Sequence, residues 1–217
     1  MDGTIVDTEP YWMSAETELV AAFGGTWSHE QALTLVGQGL WHSARVLQAH
    51  GVGLGEDDII NHLTDLVRAR VARDGLPWRP GARELLLELR DAGIPTALVT
   101  MSIRTLARDV DDAIDFDAFD IIVAGDEVEH AKPHPAAYLR AAELLGVDPR
   151  DCVAIEDSLP GVGAAVASGA ATIGIPLHVT LNEDGSFVTW ASLAGHTVAD
   201  LAEVLAESRA RTSGLSQ

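Results

Sequence analysis

The feature that most constrains the fold is the regular alternation of apolar and amphipathic segments after Gly81. The apolar runs are IPTALVTMS, FDIIVAGDEV, CVAIEDS and TIGIP. The segments between them repeat apolar residues at three-to-four spacing, which is typical of helices. Apolar strands that alternate with amphipathic helices predict a parallel sheet covered by helices on both faces. We therefore expect an α/β core, whose chemistry lies beyond the carboxyl ends of the strands.

The segment before Gly81 has a different pattern. From about Glu9 to Arg73 the apolar spacing is helical throughout. Pro10 stands at the entrance of this segment, and Pro77 and Pro80 stand at its exit, which indicates two stiff connections. We expect a core domain of residues 1–9 and 81–217 and a helical domain of residues 10–80. Within the core, residues 177–195 resemble a surface excursion or flap.

The composition of the chain limits the classes of molecule that the protein can bind. The net charge of −19 over 217 residues predicts repulsion from nucleic acid and from anionic membranes. A single cysteine, Cys152, excludes an internal disulfide, and no apolar run approaches the roughly 20 residues of a membrane span. We expect a cytoplasmic protein that is monomeric by default and acts on a small molecule.

Lysine is used once. Of the 14 basic residues, 13 are arginine and one is Lys132. Lysine offers a compact charge with three free donors, whereas arginine offers a planar fork. Two explanations for the single lysine are equally good from the pattern alone. One is chance in an arginine-rich composition, and the other is a specific role for this ammonium group.

Polar side chains follow the predicted strands. Thr100 and Ser102 follow ALV, Asp126 follows IIVAG, and Glu156 and Asp157 follow CVAI. Singly, such residues are usually helix caps or solvated turns. Together at neighbouring strand ends they favour phosphate chemistry, because paired carboxylates suit Mg²⁺ and hydroxyl groups bind phosphoryl oxygens.

Four segments in a fixed order resemble the haloacid dehalogenase superfamily, in the group of phosphatases and phosphomutases with a helical cap similar to β-phosphoglucomutase. They are DGTIVDTEP at 2–10, ALVTMS at 97–102, AKPHPAAYL at 131–139 and IEDSLPGVGAAVASG at 155–169. The resemblance implies a Rossmann-like core of three αβα layers and a small all-α cap inserted after the first segment. It also implies Mg²⁺ as cofactor and a phosphorylated metabolite as substrate.

The first segment raises a specific expectation. In that family the signature is Asp-x-Asp-Gly-Thr, in which the first aspartate attacks phosphorus and the second acts as general acid and base. Asp2 aligns with the second aspartate and Met1 with the variable position. The nucleophile, with the first strand, is therefore expected one position before Met1.

The resemblance assigns roles to matching residues. Asp2 corresponds to the general acid and base, Thr100 to the phosphoryl-binding hydroxyl, and Lys132 to the cation beside the phosphoryl group. The implied phosphate-binding residues are Gly3, Thr100, Met101, Ser102 and Lys132. The implied metal ligands are Asp2, through its main-chain carbonyl, Glu156 and Asp157.

Three functions remain open. A Mg²⁺-dependent phosphatase acting on a sugar phosphate or similar metabolite is the leading interpretation. A phosphomutase is disfavoured because Trp12 and Leu40 stand where the β-phosphoglucomutase pattern has histidine and arginine. An inactive phosphate-binding or metal-binding relic is the third. A zinc site at His130 and His134 is disfavoured, since Pro133 interrupts any regular helix between them.

Overall fold

The computed structural model describes residues 1–181 and 185–214. The helical insert begins directly after Thr8, with Pro10 in the first turn of its first helix, where the missing proline N–H costs nothing. Its longest helix begins with three acidic residues and ends at Gly75, which has a positive φ of 80°. The helices of the insert are α1 (Glu9–Ala22), α2 (His29–Leu33), α3 (Leu40–Ala49) and α4 (Glu56–Asp74).

The core domain alternates strands and helices as the sequence predicts. Its helices are α5 (Ala82–Asp91), α6 (Arg104–Asp112), α7 (Ala136–Leu145), α8 (Leu159–Ser168) and α9 (Val198–Gly214). Its strands are β1 (Ala97–Val99), β2 (Ile121–Val123), β3 (Val153–Glu156), β4 (Ala171–Gly174) and β5 (Val188–Thr189). Gly169 ends α8 with a positive φ of 90°, as expected for a helix stop.

The strands are parallel, but they form two sheets instead of one. One sheet has the order β1-β2, and the other has the order β3-β4-β5. In the described residues no strand lies between β1 and β3. A cavity of about 410 Å³ separates them, lined by apolar side chains that include Leu98 and Ile155, and Met1 reaches its wall. The expected parallel α/β core is therefore confirmed, with a gap at the centre of its sheet.

The two connections between insert and core run side by side. The Asp7 N–H donates to the Pro77 carbonyl, and the Arg79 N–H donates to the Ile5 carbonyl. The Arg79 side chain is 5% exposed and also donates to the carbonyls of Gly3 and Ile175. This arrangement fixes the first residues of the chain against the end of β4. The domain limits at 10 and 80 remain predictions.

The segment 177–195 is only partly a surface excursion. Leu181, Phe187 and Leu193 are buried, and Leu181 and Phe187 pack with Val162 of α8. The short strand β5 extends the second sheet. Residues 182–184 of this segment lie outside the described residues. The polar residues in this part of the sequence obscured the pattern of the apolar residues Leu181, Phe187 and Leu193, which belong to the core.

None of the helices in the described ranges combines the length and the apolar character that crossing a membrane would require.

Candidate active site

The predicted site residues meet in a cavity between the insert and the core. The cavity has a volume of about 80 Å³ and lies at the carboxyl ends of β1 and β3, the position expected for an open parallel sheet. The predicted residues that line it are Asp2, Thr100, Met101, Ser102, Lys132, Glu156 and Asp157. Gly3 stands directly behind Asp157.

Asp2 is held by donors from both sides of the cavity. Its Oδ1 accepts hydrogen bonds from Thr8 Oγ1 at 2.5 Å and from Trp12 Nε1 at 3.2 Å. Its Oδ2 accepts from Ser102 Oγ at 2.8 Å and from Thr100 Oγ1 at 3.5 Å. The carboxylate is therefore fixed beside the hydroxyl groups that are predicted to bind phosphate.

Lys132 lies at the floor of the cavity. Its Nζ is 2.5 Å from Glu156 Oε1 and 3.2 Å from the Val99 carbonyl oxygen, and it lies 5.0 Å from the centre of the Tyr138 ring. The Tyr138 hydroxyl donates to the same Glu156 oxygen. Burial and the charge of Glu156 raise the pKa of Tyr138 above its ordinary value. Tyr138 therefore stays a neutral donor that positions Glu156.

The surroundings of Asp157 disfavour the ionised form of its carboxyl group. Its Oδ1 accepts from Thr4 Oγ1 at 2.7 Å. Burial, followed by the charge of Glu156, raises the pKa of Asp157 to about 6. Gly3 has a positive φ of 67°, and a Cβ at this position would overlap the Asp157 carboxylate. The chain thus brings its backbone against a buried acid that lacks a full countercharge.

The residues fit Mg²⁺, which needs only one or two carboxylates beside water and phosphate oxygens. Asp157 supplies such a carboxylate, and a nearby cation would favour its ionised form. In the described ranges no group of three or more His, Cys, Asp or Glu side chains is placed to hold a metal.

Other residues from the sequence lie elsewhere. Asp126 caps α6, because its Oδ1 accepts from the Arg104 N–H at 2.9 Å. The rings of His130 and His134 contact each other at 4.6 Å between centres. Both lie on the wall of a separate cleft beyond the site.

The sequence did not reveal every residue of the cavity. Tyr138 carries no pattern of its own, and only its position six residues after Lys132 in the third family segment could have suggested contact. Glu9 and Glu16, two turns apart on α1, resemble ordinary helix acids, yet they are 9% and 5% exposed and line the cavity. Their apolar neighbours on the same helix face were the available signal.

Comparison with known proteins agrees with this geometry. A family model for haloacid dehalogenase-like hydrolases matches residues 1–169. Hexitol phosphatase B of Escherichia coli O157:H7 is 30% identical over 216 residues, which cover 95% of this chain and 92% of that protein. Protein CbbY of Rhodobacter capsulatus is 32% identical over 204 residues, which cover 88% of each.

A solved structure shows the same architecture. The crystal structure of CbbY from Rhodobacter sphaeroides in complex with phosphate has a TM-score of 0.85 and 30% sequence identity, and the match covers 93% of this chain and 96% of that one. The family resemblance and the expected enzyme class, a phosphoric monoester hydrolase, are thereby confirmed. The chain belongs to the haloacid dehalogenase-like hydrolases.

Proposed function

We propose that the protein is a Mg²⁺-dependent phosphatase that hydrolyses a small phosphorylated metabolite of the sugar phosphate class through an aspartyl-phosphate. The observation that carries the proposal is the convergence of Asp2, Thr100, Ser102 and Lys132 on one cavity beside Asp157. These groups supply a proton carrier, hydroxyl donors, a cation and a metal carboxylate. The name of the relative hexitol phosphatase B supports a phosphorylated polyol or sugar as substrate.

Each residue has a definite part in the reaction. A carboxylate oxygen attacks phosphorus, the bond from phosphorus to the ester oxygen breaks, and Asp2 gives its proton to the leaving oxygen. Water then attacks the aspartyl-phosphate, Asp2 takes the proton, and inorganic phosphate leaves. Thr100, Ser102 and Lys132 bind the phosphoryl oxygens and offset their charge.

The attacking carboxylate is assigned to an aspartate joined to Met1. Met1 is 7% exposed and lines both the site cavity and the cavity between the sheets. Its backbone nitrogen lies among the charges of Asp2, Lys132, Glu156 and Asp157. An apolar strand between β1 and β3 would pair both open edges and deliver its last residue to this point.

The proposed metal ligands are Asp157, Glu156 and the main-chain carbonyl of Asp2. When bound, Mg²⁺ supplies charge stabilisation to the phosphoryl oxygens. Glu156 already accepts from Lys132 and Tyr138, so Asp157 is the carboxylate with more capacity for a cation. The proposed partner is one small phosphorylated metabolite, and the monomeric state remains a prediction.

The phosphomutase alternative receives no support from the cavity. Trp12 and Leu40, which stand at the sequence positions where the β-phosphoglucomutase pattern has histidine and arginine, both line it. The Trp12 indole donates to Asp2, the proposed acid and base. The relic alternative would retain binding of phosphate or Mg²⁺ without turnover.

Phosphate release separates the three functions. The test measures inorganic phosphate from a panel of sugar phosphates, using the protein as its own cells make it, with Mg²⁺ and with EDTA. We expect release that requires Mg²⁺. Interconversion of glucose 1-phosphate and glucose 6-phosphate would instead establish a phosphomutase, and binding of phosphate without turnover would establish a relic.

A further inference from the structure

Arg79 is a buried arginine without an ion pair. The residue is 5% exposed, and among the described residues no carboxylate lies within ion-pair distance of its guanidinium. Burial lowers the pKa of Arg79, while the charges of Asp157 and Asp7 oppose this shift. Because a buried charge is costly, a neutral side chain of similar size would fill the same space at a lower cost. The retention of this cation therefore calls for a role beyond packing.

Backbone carbonyl groups hold the guanidinium in place. Nη1 donates to the Gly3 carbonyl at 2.5 Å and to the Ile175 carbonyl at 2.7 Å, and Nη2 donates to the Pro176 carbonyl at 3.4 Å. Within the described part of the chain, Nε has no hydrogen-bond partner, and no other group donates to the Gly3 carbonyl. Arg79 thus directs its donors to two backbone segments, the turn at Gly3 and the end of β4.

The turn at residues 2–4 carries groups of the proposed metal site. Asp2, whose main-chain carbonyl is a proposed ligand, directly precedes Gly3. Thr4 directly follows Gly3 and donates to Asp157 Oδ1 at 2.7 Å. A Cβ at Gly3 would overlap the Asp157 carboxylate, so the turn lies directly against this second proposed ligand. A displacement of Gly3 would therefore move both groups.

The charge and the hydrogen bonds of Arg79 act on a bound Mg²⁺ with opposite signs. A positive charge repels a metal cation through space, so removal of the charge alone would strengthen Mg²⁺ binding. The hydrogen bonds fix the turn that carries the proposed ligands. Their removal would weaken Mg²⁺ binding, because groups behind the ligands hold them in the geometry that the metal requires. The sign of the change in affinity separates the two effects.

We infer that Arg79 is a positioning residue, which holds the turn at residues 2–4 in the geometry that binds Mg²⁺ and fastens this turn to the connection between insert and core. The Arg79 N–H supplies a further attachment, because it donates to the Ile5 carbonyl at 2.9 Å. The inference rests on the proposed function, since it takes Asp157 and the Asp2 carbonyl as metal ligands.

Calorimetric titration with Mg²⁺ tests the inference on the unchanged chain, Arg79→Met and Arg70→Met. Arg70 is the matched control, because this half-buried arginine donates to the Tyr11 carbonyl at 3.1 Å and to Ser14 Oγ at 2.8 Å, both within the insert. Both variants lose hydrogen bonds to the backbone and should lose stability. We expect Mg²⁺ affinity to fall only in Arg79→Met, by about tenfold or more.

The other outcomes of this titration contradict the inference. Unchanged or stronger Mg²⁺ binding by a folded Arg79→Met would overturn it and leave the metal site standing. An equal loss of affinity in Arg70→Met would show that lower stability alone weakens the site, and would also overturn it. Absence of Mg²⁺ binding by the unchanged chain would overturn the metal site and the inference with it.

Arg79→Lys separates charge from geometry and decides the question if Arg79→Met does not fold. Lysine keeps the positive charge, but its single nitrogen does not reproduce the planar pair of nitrogens that reaches three carbonyl groups. We expect Mg²⁺ affinity to fall about threefold or more. An affinity equal to that of the unchanged chain would show that a positive charge at this place suffices, and would overturn the positioning role.

Discussion

Lys132 Nζ lies 2.5 Å from Glu156 Oε1, and the two residues are 8% and 4% exposed. A buried ion pair of this kind costs desolvation energy that its own attraction does not fully return. The Tyr138 hydroxyl donates to Glu156, and Lys132 donates to the Val99 carbonyl. The chain maintains this costly pair at the floor of the predicted phosphate site, where the proposed function gives the ammonium group a use beyond stability.

Replacing Lys132 with methionine tests this role. The variant leaves Glu156 buried without its partner, so we expect a loss of about 3 to 5 kcal/mol in the free energy of unfolding. We also expect phosphate affinity to fall at least tenfold in calorimetry. The double variant Lys132→Met with Glu156→Gln removes the orphaned charge and should regain most of the stability without regaining phosphate binding. Arg140→Met, at an exposed cation, serves as control. Normal phosphate affinity in the double variant would contradict the role of Lys132.

Gly3 and Gly24 form a matched pair for the metal site. Both have positive φ, 67° and 79°, so alanine strains the backbone at each. Only at Gly3 does the added Cβ meet the Asp157 carboxylate, because space beside Gly24 is open. We expect backbone strain to cost each variant about 1 to 3 kcal/mol of stability, and Gly3→Ala to lose more because its Cβ overlaps the Asp157 carboxylate. Mg²⁺ affinity measured by calorimetry should fall only in Gly3→Ala.

Equal Mg²⁺ affinity in the two alanine variants would show that Asp157 does not hold the metal. A stability loss confined to Gly3→Ala would show instead that the strain at Gly24 is relieved locally.

Glu16 makes stability depend on pH in a predictable direction. Burial raises its pKa from 4.5 to about 7, although the hydrogen bond from Trp27 opposes the shift. Between these values the unfolded chain has lost the proton and the folded protein retains it. Stability therefore falls as pH rises from 4.5 to 7, by up to about 3 kcal/mol from this group.

Glu16→Gln removes this dependence. Denaturant unfolding from pH 4 to pH 8 should give the variant a flatter stability profile and a relative gain at pH 8. Glu18→Gln, at an exposed position, should retain the original slope. Parallel profiles for the original chain and Glu16→Gln would show that Glu16 is ionised at little cost in the folded protein.

Much of the fold could be predicted from the sequence, because its periodicities agree with one another. The helical spacing before Gly81, the apolar runs after it and the glycine at the end of α8 all correspond to observed elements. The burial of Leu181 and Phe187 escaped prediction because polar neighbours dilute their pattern. No local pattern reveals the gap between β1 and β3, and the signal for it was the family resemblance, which implies a first strand before Met1.

The residues of the candidate site also fall into those that the sequence predicted and those that it did not. Residues inside the four family segments, such as Thr100 and Lys132, were predicted and lie around one cavity. Glu9, although it lies inside the first of these segments, and Glu16 were not predicted, because a helix acid is exposed far more often than buried. Their importance follows from how α1 packs over the core. Their apolar neighbours on the same face of α1 were the one signal in the sequence.

The most direct test of the central claim compares three N-terminal forms of the protein. One begins at Met1, one carries an apolar extension of about six residues that ends in aspartate, and one carries the same extension ending in asparagine. Both extensions should raise the unfolding temperature, because they fill the cavity between the sheets. We predict that the aspartate form releases phosphate from a sugar monophosphate with Mg²⁺ at least about 10³-fold faster than the other two forms. Equal rates for the aspartate and asparagine forms would contradict the account.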